Sequence, residues 1–80
     1  MQEIFSKYEQ TCYKTIGSNL KFYRIRAKIT QEILSDKINC SREFINRVEN
    51  NKEHIGLQKL IKVSFILKIP LEKFFVTSDK

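Results

Sequence analysis

The chain has 80 residues, of which 41% are hydrophobic and 30% are charged, so it is a folded protein rather than a disordered tail. This length excludes a multi-domain enzyme. With two glycines and one proline, it also has too few turn residues for a β-sandwich or a phosphate-binding loop. We therefore predict one small domain that is mostly helical.

Basic residues outnumber acidic residues by 15 to 9, which gives a net charge of +6. The excess lies entirely beyond residue 19, because residues 1–19 contain two charges of each sign. An uneven basic charge favours an anionic partner, with nucleic acid ahead of a membrane surface. Charge alone is also compatible with a small basic domain that has no such partner.

The two cysteines, Cys12 and Cys40, are too few for the disulfide framework of a small secreted protein. Together with His54 they lack the spacing of a zinc site, so we expect reduced cysteines, no metal and no cofactor. The chain has no apolar run long enough to span a membrane, and its first residues lack the pattern of a signal peptide. We expect a cytoplasmic protein.

The spacing of apolar residues predicts the first elements in chain order. A short amphipathic helix is expected over residues 2–13. The segment Gly17–Asn19 either interrupts this helix or marks the start of the next one, which ends near Lys28.

Two short helices and a longer one follow. Thr30 and Ser41 are the predicted N-caps of the short helices, because a hydroxyl oxygen accepts hydrogen bonds from the free N–H groups of a first turn. Asn39 lies between them and tolerates the left-handed conformation that a tight turn demands. A longer helix is predicted from Leu57 to about residue 68, and a last short helix over Leu71–Phe75.

Residues 31–50, QEILSDKINCSREFINRVEN, form two short helices joined by a turn at residues 39–41. Ser35 provides the small side chain that is needed where two helices cross near a right angle. Ile45 and Val48 hold the second helix to the core, so its other face would protrude into a DNA major groove.

This pattern resembles the helix-turn-helix family of the lambda repressor and Cro, also called the XRE family. The residues that carry the resemblance are Ile16-Gly17, Leu20, Tyr23-Arg24, Thr30-Gln31, Leu34, Ile38, Ser41, Ile45, Val48-Glu49 and Leu71–Phe74. The chain departs from the family at Ser35, Asn39 and Asn51, which stand where the family has an alanine and two glycines. Asparagine is the next-best residue for the backbone of those two glycines.

The resemblance implies an all-α fold, a five-helix lambda-repressor-like DNA-binding domain over residues 15–76. Residues 1–14 are then an extra short N-terminal helix or extension, and residues 77–80 a flexible tail. The recognition helix is expected at about Ser41–Asn50.

The exposed face of this recognition helix is expected to contact bases through Arg42, Glu43, Asn46 and Arg47. Arginine can bind O6 and N7 of guanine, glutamate can accept from N4 of cytosine, and asparagine pairs with adenine. The alternative is a solvated charged face without a partner.

Contacts to backbone phosphates are expected from Gln31, Ser41, Asn51 and Lys52. The resemblance also implies a structural ion pair between Arg24 and Glu49, partly buried between the first and third helices of the domain.

We expect a sequence-specific transcriptional regulator, a repressor or controller, that binds an inverted-repeat operator in double-stranded DNA as a homodimer. At this size, no small-molecule ligand is expected. The residues expected in the dimer interface are Leu67, Ile69, Leu71, Phe74 and Phe75. A stripe on the first helix, formed by Ile4, Phe5 and Tyr8, is the rival interface.

Three other functions are compatible with a small basic domain to different degrees. The closest alternative is an antitoxin or other protein-interaction module that binds DNA only as part of a complex. A module that binds anionic membrane surfaces is less favoured, because the lysines of residues 59–73 do not share one amphipathic face. An enzyme is not expected, since nothing places a base beside a nucleophile.

Overall fold

The computed structural model describes residues 1–77. They form α1 (Gln2–Arg26), α2 (Gln31–Ile38), α3 (Arg42–Glu49), α4 (Leu57–Leu67) and a C-terminal 3-10 helix (Leu71–Phe75). The prediction of an all-α fold is confirmed for this part of the chain, which contains no strand. The last element is a 3-10 helix rather than an α-helix. Of the predicted tail, residues 78–80 lie outside the described residues.

The first helix is longer than predicted. Residues 2–26 form one continuous helix, so the predicted break at Gly17–Asn19 is wrong. Gly17 lies in the middle of α1 and is buried against α3, where a Cβ would meet the carbonyl oxygen of Val48. A glycine weakens a helix by about 1 kcal/mol relative to alanine, but here the close approach of two backbones requires it. Residues 2–14 are therefore the first half of α1 and not a separate helix.

A single hydrophobic core is built from all five elements and from the loop before α4. Its buried side chains are Ile16, Leu20, Leu34, Ile38, Ile45, Val48, Ile55, Leu60, Val63, Leu67 and Phe74. Because every element contributes to the same core, the buried face of α3 packs against that core.

The turn between α2 and α3 follows the predicted local rules. The hydroxyl oxygen of Thr30 accepts a hydrogen bond from the N–H of Ile33 at 3.0 Å, and that of Ser41 accepts one from the N–H of Phe44 at 3.0 Å. Asn39 has a φ of 63°, in the left-handed region. The predicted N-caps and turn residue are thus confirmed, and they fix where α3 begins.

Asn19 attaches the C-terminal segment to α1. Its amide nitrogen lies 2.9 Å from the carbonyl oxygens of Phe74 and Val76 and 3.3 Å from that of Lys73. Beside it, the rings of Tyr23 and Phe74 meet edge to face, 5.6 Å apart. Asn19, which the sequence pattern placed in a possible helix break, is therefore a buried residue that connects α1 to the C-terminal segment.

Candidate nucleic-acid interface

The two faces of α3 differ in chemistry. Ile45 and Val48 are buried in the core, while the opposite face is polar. The four side chains that were predicted to contact bases lie exposed on that polar face: Arg42, Glu43, Asn46 and Arg47. The helix therefore presents two guanidinium groups, a carboxylate and an amide to solvent on one side.

Arg24 and Glu49 form the ion pair that the family resemblance implied. The Nε of Arg24 lies 2.6 Å from Oε2 of Glu49, and Nη2 lies 3.1 Å from Oε1. The two side chains are only 10% and 1% exposed. The remaining Nη1 of Arg24 donates to the carbonyl oxygen of Ile29 at 2.7 Å. This two-point contact connects α1, the loop after it and the end of α3.

Gln31, the first residue of α2, belongs to the same network. Its amide nitrogen donates to Oε1 of Glu49 at 3.0 Å, and its oxygen lies 3.5 Å from the amide nitrogen of Asn46. The side chain predicted to bind a phosphate thus already has partners inside the protein. It links the buried ion pair to the exposed face of α3.

Each arginine of α3 lies near a carboxylate. Arg47 donates from Nε to Oε1 of Glu53 at 2.9 Å. Arg42 lies 3.8 Å from Glu43 on its own helix, and both of these side chains are more than half exposed. Glu53 lies in the loop after α3, so the sequence pattern of the helix gave no sign of this contact.

The loop after α3 turns back sharply. Asn51 has a φ of 61° and donates its N–H to the carbonyl oxygen of Val48 at 3.1 Å. The N–H of Lys52 donates to the carbonyl oxygen of Arg47 at 2.8 Å. Asn51 thus has the left-handed conformation expected where the family has glycine, and the side chain of Lys52 is exposed.

His54 ends this loop against α1. Its ring stacks on that of Tyr13 with centroids 3.6 Å apart and an interplanar angle of 1°. No local pattern predicts this contact, because the two residues are far apart in the chain. The stack joins the first half of α1 to the loop that carries the predicted phosphate contacts.

The predicted dimer interface needs correction. Leu67 and Phe74 are 7% and 0% exposed, so they fill the core of the monomer and cannot form an interface. Ile69 and Leu71 are half-buried, and Phe75 is 50% exposed. Apolar spacing alone did not distinguish a core position from an interface position.

Two helices carry stripes of exposed apolar side chains. On α4 the stripe consists of Leu57, Ile61 and Phe65, and on the first half of α1 it consists of Ile4, Phe5 and Tyr8. Further exposed apolar side chains are Phe22 and Ile25 near the end of α1 and Ile33 on α2. Tyr8 and Phe75 line one shallow groove, so the stripe on α1 and the exposed Phe75 form one continuous surface.

The two cysteines are free thiols. Burial raises the pKa of the Cys40 thiol, and the nearby charge of Lys59 opposes that shift. Within residues 1–77, no group of His, Cys, Asp or Glu side chains is arranged to hold a metal ion. None of the helices in this range is both long and apolar enough to cross a membrane.

The comparisons with known proteins agree with this geometry. A family model described as Helix-turn-helix matches residues 20–74. An uncharacterized HTH-type transcriptional regulator of Methanocaldococcus jannaschii is 31% identical over 62 residues, which cover 78% of this chain and 94% of that protein. The crystal structure of a hypothetical transcription factor, NHTF, from Neisseria has the same fold. It matches with a TM-score of 0.78 and 20% identity over 86% of this chain and 78% of that one. The chain belongs to the XRE-type helix-turn-helix family of DNA-binding transcriptional regulators.

Proposed function

We propose that this regulator, a repressor or controller, binds an inverted-repeat operator as a homodimer, with α3 in the major groove of each half-site. The observation that carries the proposal is the two-faced character of α3. Ile45 and Val48 are buried in the core, and four side chains that can form hydrogen bonds with base edges lie on the opposite face.

Different residues serve affinity and specificity. The exposed side chains of Lys52 and Asn51 contact phosphates, as does the first turn of α2 at Gln31. The hydroxyl oxygen of Ser41 already accepts a bond from Phe44, but its hydrogen is free to donate to a phosphate. These contacts place α3 in the groove but do not select a sequence. Selection of the sequence is the role of the exposed side chains of α3.

A homodimer follows from the short length of α3. One recognition helix contacts only a few base pairs, so two-fold pairing on an inverted repeat is the usual route to useful affinity. The surface that we propose for the dimer consists of the groove lined by Tyr8 and Phe75 and of the exposed Ile4 and Phe5 on the same stripe of α1 as Tyr8. Its α1 part lies outside the family match, which begins at residue 20.

The test is fluorescence anisotropy of the purified protein with the DNA upstream of its own gene and with a pool selected from random duplexes. Both titrations contain excess competitor DNA and are run at two salt concentrations. Binding at about 10⁻⁸ M or tighter that withstands the competitor supports a specific regulator. If neither DNA gives such binding, the proposal fails for the chain acting alone.

One observation favours a second function, that of a module that binds DNA only together with another protein. Phe65 on α4 is 80% exposed and continues an apolar face with Leu57 and Ile61. A surface of this kind suits a protein partner. Specific DNA binding by the purified chain alone would argue against this function.

A further inference from the structure

Arg47 has a charged partner outside its own helix, unlike the other three exposed side chains of α3. The contact is formed by Nε, at 2.9 Å from Oε1 of Glu53. No hydrogen bond within residues 1–77 uses the two terminal nitrogens of Arg47. These nitrogens form the flat end of the guanidinium group, which matches O6 and N7 of guanine. The ion pair therefore leaves free the edge that would face a base.

Glu53 is itself held in place from both sides. Before it, the left-handed Asn51 and the bond from the N–H of Lys52 to the carbonyl oxygen of Arg47 fold the loop back over the end of α3. After it, His54 stacks on Tyr13. The carboxylate next to Arg47 thus rests on a loop that is fixed at two points.

The ion pair is too exposed to contribute much to folding. Its side chains are 48% and 40% exposed, and pairs of this kind have little effect on stability. It does restrict the rotamers of a long side chain before DNA arrives, so less conformational freedom is lost on binding. The negative charge of Glu53 also repels phosphates, which weakens binding to DNA of any sequence and makes stable binding depend more on contacts to the matching bases.

We propose that Glu53 is a positioning residue that directs Arg47 at a guanine and thereby sets the base preference at one position of the half-site. The proposal rests on the proposed function, in which Arg47 contacts a base. Glu53 acts through Arg47 and does not itself touch the base. Tyr13 supports it through His54, and Tyr13 lies outside the family match at residues 20–74.

The experiment measures the affinity of the full chain for its selected operator and for variants with each base pair replaced in turn. Glu53→Ala should reduce discrimination at the single position read by Arg47 by about tenfold, within the range of one arginine–guanine contact, and leave the other positions unchanged. Affinity for random DNA should rise, because a negative charge is removed. Glu53→Gln should raise affinity for random DNA in the same way but retain much of the discrimination, since its amide oxygen can still accept from Nε.

Two controls separate this role from simpler ones. Glu72→Gln removes an exposed charge from the C-terminal 3-10 helix and should leave discrimination unchanged at every position. In an Arg47→Ala background, Glu53→Ala should have no further effect on discrimination. Urea midpoints should match that of the wild type, because the ion pair is exposed.

Two outcomes would overturn the proposal. Tighter operator binding by Glu53→Ala with unchanged discrimination would mean that Glu53 only holds Arg47 away from DNA. An equal loss of discrimination at all positions would mean a general structural role. If the proposed function itself is wrong, the result differs from both, because the wild-type chain would show no base preference at any position.

Discussion

The backbone of Gly17 lies directly against the backbone of Val48. A Cβ at Gly17 would collide with the carbonyl oxygen of Val48 and would also come close to its carbonyl carbon. The helix that carries the candidate base contacts is therefore seated on α1 by backbone contact as well as by side chains. How far α3 projects from the domain depends on this close approach.

Replacing Gly17 with alanine tests this contact. Alanine favours a helix by about 1 kcal/mol over glycine, but a collision this close with backbone atoms cannot be relieved by a rotamer change and should cost about 3 kcal/mol, the upper end of the usual range for overpacking. We expect Gly17→Ala to lower the free energy of unfolding by about 2 kcal/mol in urea titrations. Gly56→Ala is the control, since its Cβ has nothing within 4 Å. A Gly17→Ala protein as stable as wild type would contradict the contact.

Local rules predicted part of this structure well. The caps at Thr30 and Ser41 and the left-handed Asn39 depend on neighbouring residues only, and all three are confirmed. Gly17 and Asn19 were misinterpreted because their functions depend on partners that are distant in the chain. A glycine buried for close packing and a glycine at a helix end look the same in one sequence.

In the candidate site as well, features that depend on local spacing could be predicted and features that depend on distant partners could not. The exposed face of α3 follows from the spacing of Ile45 and Val48, and the structure has that face. The contact of Glu53 with Arg47 depends on the path of a loop, which the sequence does not specify. Phe74 was assigned to the dimer interface because an apolar side chain near the end of a small domain suits a core and an interface equally.

The buried ion pair gives a second prediction. Arg24→Ala leaves Glu49 buried without its main partner, which should cost about 3–5 kcal/mol of unfolding free energy. The double variant Arg24→Met, Glu49→Leu should recover most of this loss, because no isolated charge remains. Arg26→Ala, an exposed arginine on the same helix, should change stability by less than about 1 kcal/mol. Equal losses at Arg24 and Arg26 in urea titrations would rule out a special role for the pair.

The end of α4 offers a stabilising substitution. Lys68 ends the helix with a φ of 59°, a conformation that is costly for a residue with a side chain. Lys68→Gly should raise the free energy of unfolding by about 0.5–1 kcal/mol. Lys62→Gly, in the middle of the same helix, should lower it by about 1 kcal/mol. If both changes destabilise the protein equally, the left-handed conformation of Lys68 is not a strained one.

Contacts to bases and contacts to phosphates should have different effects on DNA affinity in binding experiments. Arg47→Ala should weaken operator binding by about 1–3 kcal/mol and relax the preference at one base position. Lys52→Ala should weaken binding to all sequences alike and reduce the slope of log affinity against log salt concentration by about one. Anisotropy at several salt concentrations measures both effects. An unchanged base preference for Arg47→Ala, or a sequence-dependent loss for Lys52→Ala, would contradict the respective role.

The surface shared by Tyr8 and Phe75 predicts where the dimer forms. Tyr8 is 68% exposed, so Tyr8→Glu should leave the monomer folded. In a dimer built on this surface, an unpaired carboxylate would be buried at a cost of about 3 kcal/mol or more, which weakens dimerisation more than about a hundredfold. Phe65→Glu, at a position on α4 that is 80% exposed, should leave the dimer intact. Sedimentation at micromolar concentration distinguishes the two surfaces. Loss of the dimer only with Phe65→Glu would place the contact on α4. A monomeric wild-type chain would exclude both dimer surfaces.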